Sequence, residues 1–129
     1  MKSVDTNLLV RILMNDDADQ AALARTVVEA GALVSPTVLL ETTWLLRSRY
    51  GLSRSDVIDA LLTLSDLPGL MLIDANLIRW AIGRYAGRGD FADLMHIVTS
   101  RGAEAFVTFD RGIAAAAGPD TPIPIETLA

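Results

Sequence analysis

Asp5, Glu41, Asp93 and Asp110 are the residues whose types and settings could do chemistry. Val4-Asp5-Thr6 and Thr108-Phe109-Asp110 each place an acid at or just beyond the end of an apolar run. In an open parallel sheet, ligands bind in the crevice outside the carboxyl ends of the strands, and both acids would point there. The competing role for each is to cap the helix that follows. Glu41 shares its helix face with Thr37, Val38, Trp44 and Leu45, so its charge must reach water or gain a cationic partner such as Arg11 or Arg47. Asp93 falls three residues after Asp90, in the first turn of an apolar helix, where the helix dipole favours an acid. Asp90 reads as the N-cap of that helix and as a second-rank ligand. Thr6, Asn7 and Thr108 could position ligands or a phosphate from beside the acids. His96, one turn beyond Asp93, could orient a ligand but reads rather as a core histidine, and Asp16-Asp17-Asp19 reads as a capping and solvation feature of a polar turn.

If the four acids converge to about 5 Å, each like-charge pair costs roughly 3 kcal/mol at an effective dielectric of about 20. A divalent cation is the natural compensation. Oxygen-only ligands favour Mg²⁺ or Mn²⁺, and carboxylates that fill part of the octahedron leave positions for water and a phosphate oxygen. That layout predicts phosphodiester hydrolysis by a metal-activated water, with the ion also stabilising charge on the phosphate. The chain has no Cys and a single His, which excludes thiolate zinc sites and mechanisms needing two histidines. A net charge of −5 argues against a broad basic nucleic-acid face. All 11 basic residues except Lys2 are Arg, however, which suits bidentate phosphate contacts.

Short β-rich runs alternate with longer helical ones. Ser3-Val4, Leu33-Val34-Ser35, Met71-Leu72-Ile73 and Ala105-Phe106-Val107-Thr108-Phe109 read as buried strands, and Ile123-Pro124-Ile125 as an edge strand. Helices are expected over 6–14, 17–30, 36–50, 53–67, 74–86, 91–101 and 111–117, stopped at Gly31, Gly51, Pro68-Gly69, Gly87, Gly102 and Gly118. Ser53 and Asp90 are natural N-caps, and Pro36 suits a first helical position. The alternation predicts an α/β fold, a mostly parallel sheet covered by helices, in a single domain over 1–129. The longest uncharged run, Ala30 to Leu40, has 11 residues, too few to span a bilayer. Charges at Lys2, Asp5 and Arg11 break up the N-terminus, so a cytoplasmic protein without a membrane segment is expected.

Val4-Asp5-Thr6-Asn7-Leu8-Leu9-Val10-Arg11 resembles the opening motif of PIN-domain ribonucleases of the VapC toxin type. Leu39-Leu40-Glu41-Thr42-Thr43-Trp44-Leu45-Leu46 resembles the second motif of that family, Asp90-Phe91-Ala92-Asp93 the third and Thr108-Phe109-Asp110-Arg111 the fourth. Carried over by motif, the family's acidic quartet falls on Asp5, Glu41, Asp93 and Asp110. The resemblance implies a three-layer α/β/α fold with a mostly parallel central sheet and Mg²⁺- or Mn²⁺-dependent endoribonuclease activity. It also implies a homodimer and neutralisation by a VapB-type antitoxin. Helix 36–50 carries apolar residues nearly all round, which suggests a groove for an antitoxin segment or burial in the monomer. Trp80 and Tyr85 suit either a dimer contact or the core. Competing readings are a structure-specific DNA nuclease, a non-catalytic binding module of the same fold, and a phosphatase with Asp5 as nucleophile. The last usually needs a second acid where this chain has Asn7.

Overall fold

The computed structural model describes all 129 residues. Two compact units divide the chain, Met1–Ala75 and Asn76–Ala129.

The first unit runs β1 (Lys2–Ser3), α1 (Thr6–Met14), α2 (Ala18–Glu29), β2 (Ala32–Val34), α3 (Pro36–Ser48), α4 (Arg54–Ser65) and β3 (Leu70–Leu72). Its strands form a parallel sheet in the order β1-β2-β3, with Ser3 opposite Leu33 and Val34 opposite Leu72. A parallel arrangement puts all the strand ends that lead into helices on one edge. The β1 ladder extends one residue further, through Val4 N–H to the Leu33 carbonyl at 3.0 Å, and delivers Asp5 to that edge. Leu9 and Val10 of α1, Val28 of α2, Leu39 and Leu46 of α3, and Val57, Leu61 and Leu64 of α4 are buried with the strand residues Ala32 and Val34. Gly69 is needed where β3 begins: its φ is +90°, and a Cβ would stand 2.2 Å from the Val28 carbonyl oxygen at the end of α2.

The second unit holds α5 (Ala75–Gly87, its first residue closing the first unit), α6 (Phe91–Thr99), β4 (Phe106–Thr108), α7 (Arg111–Ala117) and β5 (Ile125–Thr127). β4 and β5 pair in parallel, Val107 opposite Glu126. Ile97, Ile113, Ala117 and Ile123 form a core against which Trp80, Phe106 and Ile125 pack. Tyr85 is buried, its ring edge-on to Phe91 at 5.4 Å between centroids, so this aromatic belongs to the core.

Helix positions follow the sequence reading to within a few residues, and the caps explain the trims. Asp17 and Ser53 lie outside their helices as N-caps, accepting from Gln20 N–H at 3.1 Å and Asp56 N–H at 3.1 Å. Pro36 opens α3 behind the Ser35 cap, as expected. Helices α3 and α6 end at Ser48 and Thr99, two residues short of the predicted 50 and 101. Gly87 is no stop; it is the last residue of α5, and the positive φ comes at Gly89.

The strands differ more. β3 and β4 are half-buried rather than buried: Leu70 and Leu72 face inward while Met71 is 53% exposed, and Val107 and Phe109 are exposed beside half-buried Phe106 and Thr108. Continuous apolar runs hid an ordinary period-two alternation. The last strand is Ile125–Thr127 rather than Ile123–Ile125. Pro124 has no N–H for a ladder and contributes only its carbonyl, accepting from Phe106 N–H at 2.8 Å, while Ile123 turns into the core. His96 is exposed, not a core residue: α6 buries Phe91, Leu94, Met95, Ile97 and Val98, and position 96 lies about 200° round the helix from Leu94.

Candidate metal centre

Asp5 sits between β1 and α1 with extended backbone, and its Oδ1 accepts from Leu8 N–H at 3.0 Å. The capping role is therefore real, and it occupies one carboxylate oxygen. Thr6, the next residue, is buried, and its hydroxyl donates to Glu41 Oε1 on α3, with the Val38 carbonyl 3.4 Å from the same hydroxyl oxygen. Helix α1 packs on α3, and this contact brings Asp5 and Glu41 to one cleft. Asp5, Thr6, Asn7, Glu41, Trp44 and Leu45 line one cleft of about 140 Å³.

Glu41 reaches water, one of the two outcomes its apolar helix face required. Neither expected arginine pairs with it. Arg11 donates to Gln20 Oε1 at 2.6 Å and to Asp16 Oδ1 at 3.3 Å, and Arg47 donates to the Leu52 carbonyl. Thr42 and Thr43, buried on the same helix, return their hydroxyls to the Val38 and Leu39 carbonyls at 2.7 and 3.0 Å and leave Glu41 to Thr6 alone.

In the second unit, Asp90 caps α6 by accepting from Ala92 N–H at 3.0 Å. Asp93 is half-buried in the first turn. Burial holds its carboxyl above the ordinary range, reinforced by the charges of Asp90 and Asp110 and opposed by His96. Asp93 therefore lies within electrostatic reach of both other acids. Asp110 caps α7, its Oδ1 accepting from Gly112 N–H at 2.8 Å, while its own N–H donates to Thr108 Oγ1 at 2.9 Å. Thr108 fixes the backbone of Asp110, as Thr6 fixes the side chain of Glu41.

One pattern runs through these acids. Asp5, Glu41 and Asp110 each have one oxygen held by a protein donor and a second that no protein donor takes. Asp93 accepts no hydrogen bond from the protein, and its raised pKa marks a charge that a nearby cation would relieve. Oriented carboxylates with an open oxygen are the donor set of a hard divalent ion, so the residues present fit Mg²⁺ or Mn²⁺. Asp5 and Glu41 belong to the first unit and Asp93 and Asp110 to the second, and neither unit by itself gathers three acid or imidazole side chains into an ion-holding group.

Asp74, which the sequence reading did not single out, follows β3 with a left-handed φ of 56°. The signal was present, since it follows Met71-Leu72-Ile73 as Asp5 follows Val4. β2 lies between β1 and β3 in the sheet, so the Asp5 and Asp74 strand ends are not adjacent. Trp44 and Leu45 complete the cleft, and their signal was helical spacing from Glu41.

The PIN domain family model matches residues 2–119, which takes in all four acids. Among curated proteins, nothing matches the chain. PIN domains share a three-layer α/β/α architecture with parallel strands and are generally metal-dependent nucleases. No helix of the chain is long and apolar enough to cross a membrane.

Proposed function

Since the chain belongs to the PIN domain family, we propose that it is an Mg²⁺- or Mn²⁺-dependent endoribonuclease, the toxin of a VapBC-type toxin-antitoxin pair. Asp5, Glu41, Asp93 and Asp110 hold the metal directly or through water. The observation that carries this reading is the open oxygen on each capped or hydroxyl-bonded carboxylate, together with the raised pKa of Asp93.

A bound divalent ion supplies Lewis acidity and neutralises charge at the phosphate. The chain's own residues orient and hold. The Leu8 and Gly112 N–H groups fix the rotamers of Asp5 and Asp110, and the Thr6 hydroxyl fixes Glu41. Asn7 offers an amide to a phosphate or ligand in the same cleft. Burial and the neighbouring acids Asp90 and Asp110 raise the Asp93 pKa, so its ionised form gains from a cation beside it.

Two partners complete the reading: a second copy of the chain, and a VapB-type antitoxin. Cleavage of single-stranded RNA that needs Mg²⁺ or Mn²⁺ and disappears in Asp93→Asn tests the activity. A preference for DNA would move the assignment to a DNA nuclease, and no metal binding would leave a non-catalytic module. A concentration-dependent mass measurement showing only monomer would remove the dimer.

A further inference from the structure

Trp44 is 65% exposed, although tryptophan is a residue that folds usually bury over most of its surface. The core does not need it. Helix α3 buries Leu39, Thr42, Thr43 and Leu46, and Trp44 lies off that stripe. The other tryptophan, Trp80, packs against the core of the second unit. Trp44 instead lines the cleft that holds Asp5, Thr6, Asn7 and Glu41, one helical turn beyond Glu41. A flat, uncharged ring therefore stands at the edge of a cleft carrying two acids.

Resting on the ribonuclease reading, we propose that Trp44 is a stacking platform for one unpaired base of single-stranded RNA, next to the phosphate that is cut. An acidic chain with a net charge of −5 cannot grip RNA by bulk electrostatics. Aromatic stacking is the sequence-tolerant alternative, because every base has a π-face. A single strand is required, since in a duplex that face is covered by its neighbours. The cleft fits this division of labour: at about 140 Å³ it is smaller than the roughly 300 Å³ at which small-molecule pockets begin, so it takes a phosphate while the base rests on the rim. Asn7, in the same cleft, can bond the phosphate or the edge of the stacked base.

The test uses the full chain and a single-stranded RNA that the parent protein cuts at one mapped bond in Mn²⁺. Stacking on one base predicts that Trp44→Ala lowers kcat/KM by about 10-fold or more, chiefly through KM, and that Trp44→Phe keeps most of the activity. Removing single bases next to the cut completes the experiment. At one position an abasic nucleotide should cost the parent as much as Trp44→Ala does, and cost Trp44→Ala nothing further. Equal cleavage by parent and Trp44→Ala overturns the proposal and leaves the ribonuclease reading standing. So does a loss that is the same on every abasic substrate, or a Trp44→Phe as poor as Trp44→Ala, since both mark a structural role. A change in oligomeric mass in Trp44→Ala with unchanged cleavage per protomer makes Trp44 a protein contact and overturns it too. If the parent cuts no RNA with either metal, the ribonuclease reading fails and the stacking proposal falls with it.

Discussion

Asp5 carries two roles on one carboxylate, and substitutions can separate them. Its Oδ1 takes Leu8 N–H at 3.0 Å, and the other oxygen meets no protein donor. Asp5→Asn keeps an oxygen in the capping position and removes the charge, and Asn caps about as well as Asp. Asp5→Ala removes both. Losing a cap costs about 1 kcal/mol, which for a chain of this size lowers Tm by about 4 °C. Asp5→Asn should therefore melt within about 1 °C of the parent, and Asp5→Ala about 4 °C below it, by calorimetry in EDTA. Loss of a group that only supports a ligand typically costs 10- to 100-fold, so both variants, having lost a ligand charge, should cut RNA at least ~100-fold more slowly in Mn²⁺. Asp5→Asn cleaving at the parent rate would refute the ligand role. Asp5→Asn melting as low as Asp5→Ala would refute the capping argument instead.

Thr6→Val should lower kcat/KM about 10-fold with little change in fold, because the Glu41 carboxylate loses the donor that orients it, and Thr6→Ser should restore most of the rate. Asp93 has a folded-state pKa above its unfolded value of about 3.8. Its contribution to stability is present below the unfolded value and lost as pH rises through the raised one, so the ionised form is a liability near neutral pH. Asp93→Asn in EDTA should thus melt above the parent near neutrality, the gap closing toward acid pH; a lower Tm would contradict the sign. Gly69→Ala should cost several kcal/mol in urea unfolding, since its Cβ meets the Val28 carbonyl at 2.2 Å, whereas Gly31→Ala, at φ +97° with nothing within 4 Å, should cost about 1 kcal/mol. Equal losses would show that the contact, not the φ, had been misjudged.

What the sequence made legible was mostly local. Asp5 and Asp110 were readable as strand-end acids because an apolar run changes to a helical pattern at both, and the structure adds that both cap. The position of His96 was also readable, since a helix that buries 91, 94, 95, 97 and 98 leaves 96 outside that arc; counting it as core overlooked the wheel. The partner of Glu41 was not readable. Arg11 and Arg47 were reasonable cations by charge, but α1 packs Thr6 against α3, and only tertiary packing decides which polar group meets Glu41. Strand burial failed for a related reason. Val107 and Phe109 are as apolar as core residues, and only the packing of Phe106 and Ile125 against Ile97 and Ile113 determines which face of the strand is covered.

The most direct measurement of the central claim is cleavage of single-stranded RNA by the parent and by Asp93→Asn while Mn²⁺ is titrated in after exhaustive EDTA treatment. The account predicts no cleavage without the ion, saturable recovery in the parent, and none in Asp93→Asn at any concentration that leaves its fold intact. Cleavage by the parent that is indifferent to EDTA, or equal recovery in Asp93→Asn, would contradict it.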